Sequence, residues 1–132
     1  MRIEIRNGEK VVLITFDTQG NKFASNYERN RFFRGLYGWN QVVSKEKNYR
    51  YRREGLLDQI PHVKVSDSVF MVEMENMKKI MQYFEEWHNK VRVEMLEMMM
   101  NERKWQEMLK QKNEQTNNRE NINRARMKMF IL

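Results

Sequence analysis

The chain has 132 residues, no cysteine, and a formal charge of +7 from 25 Lys and Arg against 18 Asp and Glu. This length suits one domain and is short for two, and the missing thiols exclude disulfides and Cys-ligated zinc. No apolar run approaches the roughly 20 residues that span a bilayer, and the first residues lack an apolar secretion signal, so we expect a cytoplasmic protein with no membrane role.

Two strand-like segments open the chain. Residues 2–6 alternate apolar and charged side chains, and the Asn7-Gly8 pair that follows suits a tight hairpin turn. Residues 11–17, VVLITFD, are apolar until Asp17 and therefore predict a central strand that is covered on both faces. Together these segments predict an extra N-terminal hairpin strand in front of the first core strand.

An arginine-rich helix is predicted next. Between residues 26 and 38, apolar side chains fall at helical spacing, while Arg29, Arg31 and Arg34 occupy much of the remaining surface. Gly38 is suited to end this helix, because glycine adopts the left-handed conformation common after a helix C-terminus. The predicted helix thus combines an apolar face for the core with three exposed cations.

A β-hairpin is predicted after the helix. Residues 39–43 and 48–53 have strand-like sequences and are joined by the charged turn SKEK. In an extended NYRYRR segment, successive side chains point to opposite faces. We therefore expect its two tyrosines to face the protein, and Arg50 and Arg52 to face outward about 6–7 Å apart, close to the phosphate spacing along a nucleic-acid strand.

The second half of the chain repeats the alternation of strand and helix. Residues 68–74 are a strand-like apolar run, residues 74–88 place apolar side chains at helical spacing, and residues 90–96 alternate again. This order is typical of split βαβ units. We predict an α+β fold, a ferredoxin-like sandwich with helices near 27–37 and 75–88 on one face of a sheet. The residues expected in its core are Val12, Ile14, Phe16, Phe33, Val69, Met71, Ile80, Phe84 and Val93.

The end of the chain differs in composition. Residues 97–112 have helical spacing, the following segment is polar and rich in asparagine, and the last residues, MKMFIL, are apolar. We therefore divide the chain into a ferredoxin-like domain at 1–96 and a helical or partly disordered extension at 97–132. The extension is a candidate docking segment for a protein partner.

Positive charge is concentrated in the predicted helix and hairpin. The candidate nucleic-acid-binding residues are the basic side chains of this region: Arg29, Arg31, Arg34, Lys45, Lys47, Arg50, Arg52 and Arg53. Glu46 is the only acidic residue among positions 29–53. Such side chains bind phosphates, and nearby aromatic rings can stack on unpaired bases. The pattern predicts contact with the DNA or RNA backbone, in single or double strands, rather than reading of base sequence.

Asp17 is the candidate catalytic residue. A carboxylate at the end of a central strand can hold a divalent cation, especially if a symmetry mate supplies a second carboxylate. An aspartate that starts a turn occupies the same kind of position. The sequence contains no Walker loop, no HExxH and no nucleophile elbow. We therefore expect a protein that is not an enzyme, with no metal ligands and no cofactor, and with Mg²⁺ required only if Asp17 is catalytic.

The order of four segments, VVLITFD, RNRFFRGLYG, SVFMV and ENMKKIMQYFEEW, resembles the small CRISPR-associated ferredoxin-like family, which partners the integrase and has endoribonuclease-like relatives. The resemblance covers about residues 10–96. It implies a homodimer with packed sheets, a surface that holds nucleic acid, and an aspartate at the end of the first strand, where this chain has Asp17. The chain departs from the family in a longer hairpin and connection at 39–66, an extra N-terminal strand and a C-terminal tail.

Three functions are compatible with these features. The first is a non-catalytic nucleic-acid-binding protein, which we expect to be a homodimer because residues 91–96 predict an edge strand. The second is a metal-dependent phosphodiesterase that uses Asp17 and its dimer mate. The third is an interaction or structural subunit that docks through the Met-rich helix and the tail. Twelve methionines and a single proline are typical of an AT-rich viral or mobile-element genome.

Overall fold

The computed structural model describes residues 8–18 and 22–111. Its elements in chain order are β1 (Gly8–Thr18), α1 (Asn26–Tyr37), β2 (Trp39–Ser44), β3 (Asn48–Arg53), a 3-10 turn (Leu56–Gln59), β4 (His62–Ser66), β5 (Val69–Glu73), a second 3-10 turn (Met74–Asn76), α2 (Met77–Glu86) and β6 (Val91–Asn101). A helix, α3, covers residues 102–111. The predicted strand at 2–6 lies outside the described residues. Gly8 belongs to β1 rather than to a turn with positive φ.

Four strands form an antiparallel sheet in the order β4-β5-β1-β6, and β2 and β3 form a separate two-stranded sheet. The predicted α+β class is confirmed, and the strand order is compatible with a ferredoxin-like fold. Within the described ranges, no helix is both long enough and apolar enough to cross a membrane.

The hydrophobic core lies between the four-stranded sheet and the two helices α1 and α2. β1 and β5 pair so that Ile14 lies opposite Phe70, and both side chains are fully buried. Val11 is buried as well, on the opposite face of β1, but Leu13 and Thr15 on that face are half-buried, so the predicted cover of both faces is complete on the helix side and partial on the other. The buried residues contributed by the helices are Phe32, Leu36, Met77, Ile80 and Phe84.

For three of the predicted core residues, a neighbour one or two positions away in the sequence is buried instead. Phe33, Val69 and Val93 are half-buried, whereas Phe32, Phe70 and Val91 are buried. A helix turns about 100° per residue, so only one of two adjacent phenylalanines points into the core. Phe32 takes this place because it fits edge-on against Phe16, with ring centroids 5.6 Å apart.

The two helices are joined by a direct hydrogen bond. The Tyr83 hydroxyl donates to the carbonyl oxygen of Phe32 at 2.5 Å. Burial raises the pKa of Tyr83, so this hydroxyl stays protonated and able to donate. A Cβ atom at Gly35 would meet the same hydroxyl, so glycine at this position allows α1 and α2 to approach closely.

The described residues belong to two compact units. One contains residues 10–18 and 22–98, and the other contains residues 8–9 and 99–111, including the buried Trp105. The predicted start of the last helix at residue 97 is wrong, because the alternation of side chains continues and β6 runs through Asn101. Residues 112–132 lie outside the described part of the chain.

Candidate nucleic-acid interface

The β2–β3 hairpin begins directly at the end of α1, and a glycine makes this sharp change of direction. Gly38 has φ = 76° and donates its N–H to the carbonyl oxygen of Arg34 at 2.8 Å. A Cβ atom at this position would come within 2.7 Å of backbone atoms of Arg53 and Gly55. The prediction that Gly38 ends the helix is therefore confirmed, and the close approach of the hairpin base excludes larger residues here.

Tyr37 holds the same end of α1 against the turn between β4 and β5. Its hydroxyl donates to the carbonyl oxygen of Asp67 at 2.7 Å, and the Lys64 ammonium lies 4.2 Å from the centre of its ring. Burial raises the pKa of Tyr37, so the donor remains protonated at neutral pH. The hairpin therefore projects from a fixed base.

Arg52 ties the hairpin to the segment that follows it. Its Nη2 lies 2.7 Å from both carboxylate oxygens of Asp58 and 2.8 Å from the carbonyl oxygen of Tyr37. Asp58 also accepts the backbone N–H of Gly55 at 2.8 Å. Arg50 and Arg52 are both exposed, as expected, but Asp58 holds the guanidinium of Arg52 at the hairpin base. Contact of these two arginines with phosphate stays a prediction.

The two tyrosines of β3 do not face the core. Tyr49 is 48% exposed and Tyr51 is 49% exposed, and their rings are nearly parallel, with centroids 6.4 Å apart. The prediction that they face the protein is wrong, because β3 lies in a small sheet in which β2 is its one neighbour among the described strands. Strand pairing places Val43 opposite Tyr49 and Gln41 opposite Tyr51. The result is an exposed aromatic face, which we call the tyrosine face.

The basic residues at the end of the hairpin are accessible. Lys45 and Lys47 lie in the exposed connection between the strands, and Arg50 lies opposite Val42 on the face away from the tyrosines. Among the described residues, none of these three cations forms an ion pair. The tip of the hairpin therefore carries positive charge that the described part of the chain does not neutralise, except for the adjacent Glu46.

The three arginines of α1 do not form one surface with the hairpin. Their guanidinium groups lie over three different rings: Arg29 over Phe33 at 5.6 Å, Arg31 over Trp87 at 5.5 Å, and Arg34 over Trp39 at 4.2 Å. Because a helix turns about 100° per residue, Arg29 points away from Arg31 and Arg34, so the three do not share one face. Their binding of nucleic acid stays a prediction. Only Arg34 is brought to the hairpin, where its contact with Trp39 leaves N–H groups available for a phosphate.

Arg53 completes the basic residues of the hairpin. It lies opposite Trp39 on the tyrosine face, and its Nε donates to the side-chain oxygen of Gln41 at 2.8 Å. This hydrogen bond crosses the strands and orients the guanidinium. Sequence reasoning found Arg53 as a cation but missed Asp58 as the partner of Arg52. The signal available was the Gly55-x-x-Asp58 spacing, in which an Asp side chain accepts the N–H three residues earlier.

Asp17 is exposed near the end of β1. In the ranges 8–18 and 22–111, no group of three or more His, Cys, Asp or Glu side chains is arranged to hold a metal ion. His62 and His88 each contact a nearby backbone carbonyl through Nδ1 at 2.8 Å. The catalytic role of Asp17 therefore stays a prediction.

No protein-family model, no curated protein and no solved structure matches this chain.

Proposed function

We propose that this protein binds single-stranded nucleic acid through the β2–β3 hairpin and does so without catalysing a reaction. The observation that carries the proposal is the pair of half-exposed rings of Tyr49 and Tyr51, inclined by 29° to each other, near cations that form no ion pair within the described residues. A soluble protein gains nothing from leaving two adjacent aromatic rings in water, whereas every nucleobase offers a flat face on which such a ring stacks.

The preference for single strands follows from base accessibility. In a duplex, each base is stacked on its neighbours and presents only its edges in the grooves. A tyrosine ring therefore stacks on a base only when that base is unpaired, and each such contact contributes about 1–3 kcal/mol. Lys45 and Lys47 at the tip and Arg53 on the tyrosine face would neutralise phosphates of the same strand, and Arg34 would extend the contact toward α1. Because none of these groups reads base edges, sequence preference should be weak.

The scaffold for this hairpin is, we propose, a ferredoxin-like split βαβ sandwich. Its support is the order β4-β5-β1-β6, together with one core cluster that contains residues of the sheet and of both α1 and α2. The β2–β3 hairpin is inserted between α1 and β4, which is where the chain departs from the CRISPR-associated family that it resembles. A homodimer is a further part of this proposal.

The decisive experiment is a fluorescence anisotropy titration with one labelled oligonucleotide, as a single strand and as a duplex, in DNA and RNA form. We expect the wild type to prefer the single strand. The Tyr49→Ala/Tyr51→Ala double variant should bind it at least tenfold more weakly, since one stacked base is worth about 1–3 kcal/mol. The Tyr49→Phe/Tyr51→Phe variant keeps both rings and should bind within about twofold of wild type.

Tyr27→Ala is the matched control, because Tyr27 is a tyrosine of α1 that is 74% exposed and lies outside the hairpin. Equal affinity of the wild type and the folded double alanine variant would overturn the proposal. Absence of binding by the wild type at low salt would overturn it as well.

A further inference from the structure

β6 is an exposed edge of the four-stranded sheet. Among the described strands, it neighbours β1 alone. It has 11 residues and contains neither proline nor lysine, which are residues that protect edges from pairing with another chain. The other edge strand, β4, has five residues, follows Pro61 and pairs irregularly with β5 between Lys64 and Ser66. Of the two edges, β6 is therefore the one suited to pair with a further strand.

The helix-facing side of β6 is apolar. Together with α2 it lines a shallow groove of about 350 Å³, whose rim also includes the polar or charged Glu85, His88 and Arg92. Two methionines of this groove are well exposed, Met81 at 55% and Met95 at 41%. Val91 is buried at the end of the groove and Val93 is half-buried along it. The edge strand thus has an apolar strip beside backbone groups that no other described strand pairs with.

The opposite side of β6 carries two charges of opposite sign at alternate positions. The side chains of Arg92 and Glu94 are 70% and 72% exposed, and the guanidinium and carboxylate lie 3.7 Å apart. Val93 lies between them in sequence and points to the other face. When a strand pairs antiparallel with a copy of itself, the residue before the symmetry axis lies opposite the residue after it in the other copy. Opposite charges at these two positions therefore attract across the pair.

We propose that two copies of this chain pair through β6, antiparallel, around a twofold axis at Val93. In this register, Arg92 of each copy lies opposite Glu94 of the second copy, which forms two cross-strand ion pairs. Val91 lies opposite Met95 of the second copy, so the two apolar strips and the two grooves adjoin. The occupant of this edge is therefore a second copy of the chain, and the two sheets become one continuous sheet.

The charges also select this register over its neighbours. Directly opposite side chains of two antiparallel strands lie on the same face of the sheet. A symmetric pairing of two copies therefore has its twofold axis at a residue, and the alternative pairings shift that axis by one or more whole residues. Moving the axis to Arg92 sets two arginines directly opposite each other, and moving it to Glu94 does the same with two glutamates. Like charges directly opposite are destabilising. The proposal is independent of nucleic-acid binding, since no residue of the hairpin takes part in it.

Sedimentation equilibrium of the full-length protein without nucleic acid, over a range of concentrations, tests this pairing. We expect a dimer for the wild type. Glu94→Arg and Arg92→Glu should each raise the dimer dissociation constant by about tenfold or more, because each replaces two ion pairs with two repulsions. The Arg92→Glu/Glu94→Arg double variant restores opposite charges and should return the constant to within about threefold of wild type.

Glu97→Arg is the matched control, since it makes the same charge change at another exposed position of β6 that has no charged residue opposite it in this register. It should leave the dissociation constant within about twofold. A wild type that is monomeric throughout, or a dimer that both single reversals leave unchanged, would overturn the proposal. Circular dichroism melting verifies that each variant is folded, so loss of the dimer is not mistaken for unfolding.

Discussion

Arg52 donates to both carboxylate oxygens of Asp58 at 2.7 Å, and this ion pair fixes the β2–β3 hairpin to the turn that leads into β4. The same nitrogen reaches the carbonyl oxygen of Tyr37 at the end of α1. One side chain therefore links three segments of the chain. It also separates Arg52 from Arg50, which alternates with it along β3 but has no ion-pair partner among the described residues.

The first prediction concerns stability. Arg52→Ala and Asp58→Ala should each lower the free energy of unfolding by about 1 kcal/mol, because each leaves the other's hydrogen bonds incomplete at a partly exposed site. Arg50→Ala removes the same kind of side chain without a partner and should change the free energy by less than about 0.5 kcal/mol. Urea unfolding measures all three variants.

The Arg52→Ala/Asp58→Ala double variant separates a direct interaction from two independent effects. We expect its loss to be smaller than the sum of the two single losses by about 0.5–1 kcal/mol. Full additivity of the two substitutions would show that the ion pair contributes nothing to the stability of the hairpin base.

The second prediction concerns salt. The logarithm of the single-strand binding constant should fall with the logarithm of salt concentration, and Lys45→Ala/Lys47→Ala should make this negative slope shallower by about 1.4, because each phosphate neutralised on a single strand contributes about −0.7 to it. Lys78→Ala/Lys79→Ala removes two exposed cations from α2 and is the control. If both double variants made the slope shallower by the same amount, the effect would come from overall charge and not from the hairpin tip.

The third prediction tests the approach of α1 and α2 at Gly35. Alanine normally stabilises a helix interior by about 1 kcal/mol relative to glycine. Here a new Cβ atom would clash with the Tyr83 hydroxyl, which donates a hydrogen bond to the carbonyl oxygen of Phe32. Gly35→Ala should therefore destabilise the fold. In a Tyr83→Phe background the cost should be smaller, because the nearest clashing atom is gone. A stabilising Gly35→Ala in thermal unfolding would contradict this packing.

The fourth prediction concerns acid. The hydrogen bond from Lys90 and then the backbone N–H of Ala24 hold the pKa of Glu28 below its ordinary value of 4.5. Since this pKa is lowered by folding, the stabilisation is present above the unfolded-state pKa and is lost as the pH falls through the folded-state value. Glu28→Gln should therefore reduce stability near pH 7 and make its decline below about pH 5 shallower.

Chemical unfolding at a series of pH values measures this effect. Glu85→Gln, the same change at an exposed position of α2, is the control. Parallel pH profiles of the wild type and Glu28→Gln would show that the carboxylate does not contribute.

The α+β class and most of the element boundaries were determined by local sequence. α1 at Asn26–Tyr37 and the hairpin strands lie close to their predicted positions, and Gly38 ends the helix as expected. These features depend on the spacing of apolar residues and on the conformational range of glycine, which are both local properties. The basic tip at Lys45 and Lys47 was also evident, since charge in a short turn is necessarily exposed.

Only the tertiary structure decided which of two neighbouring side chains forms an ion pair and which rings remain exposed. Strand alternation puts Arg50 and Arg52 on one face. Of these two, Arg52 is the one that forms an ion pair with Asp58, because its guanidinium lies within hydrogen-bonding distance of that carboxylate. The same alternation puts Tyr49 and Tyr51 together, but whether they are covered depends on where the hairpin lies relative to the main sheet. Such contacts depend on the positions of segments distant in sequence, and a local pattern does not encode those positions.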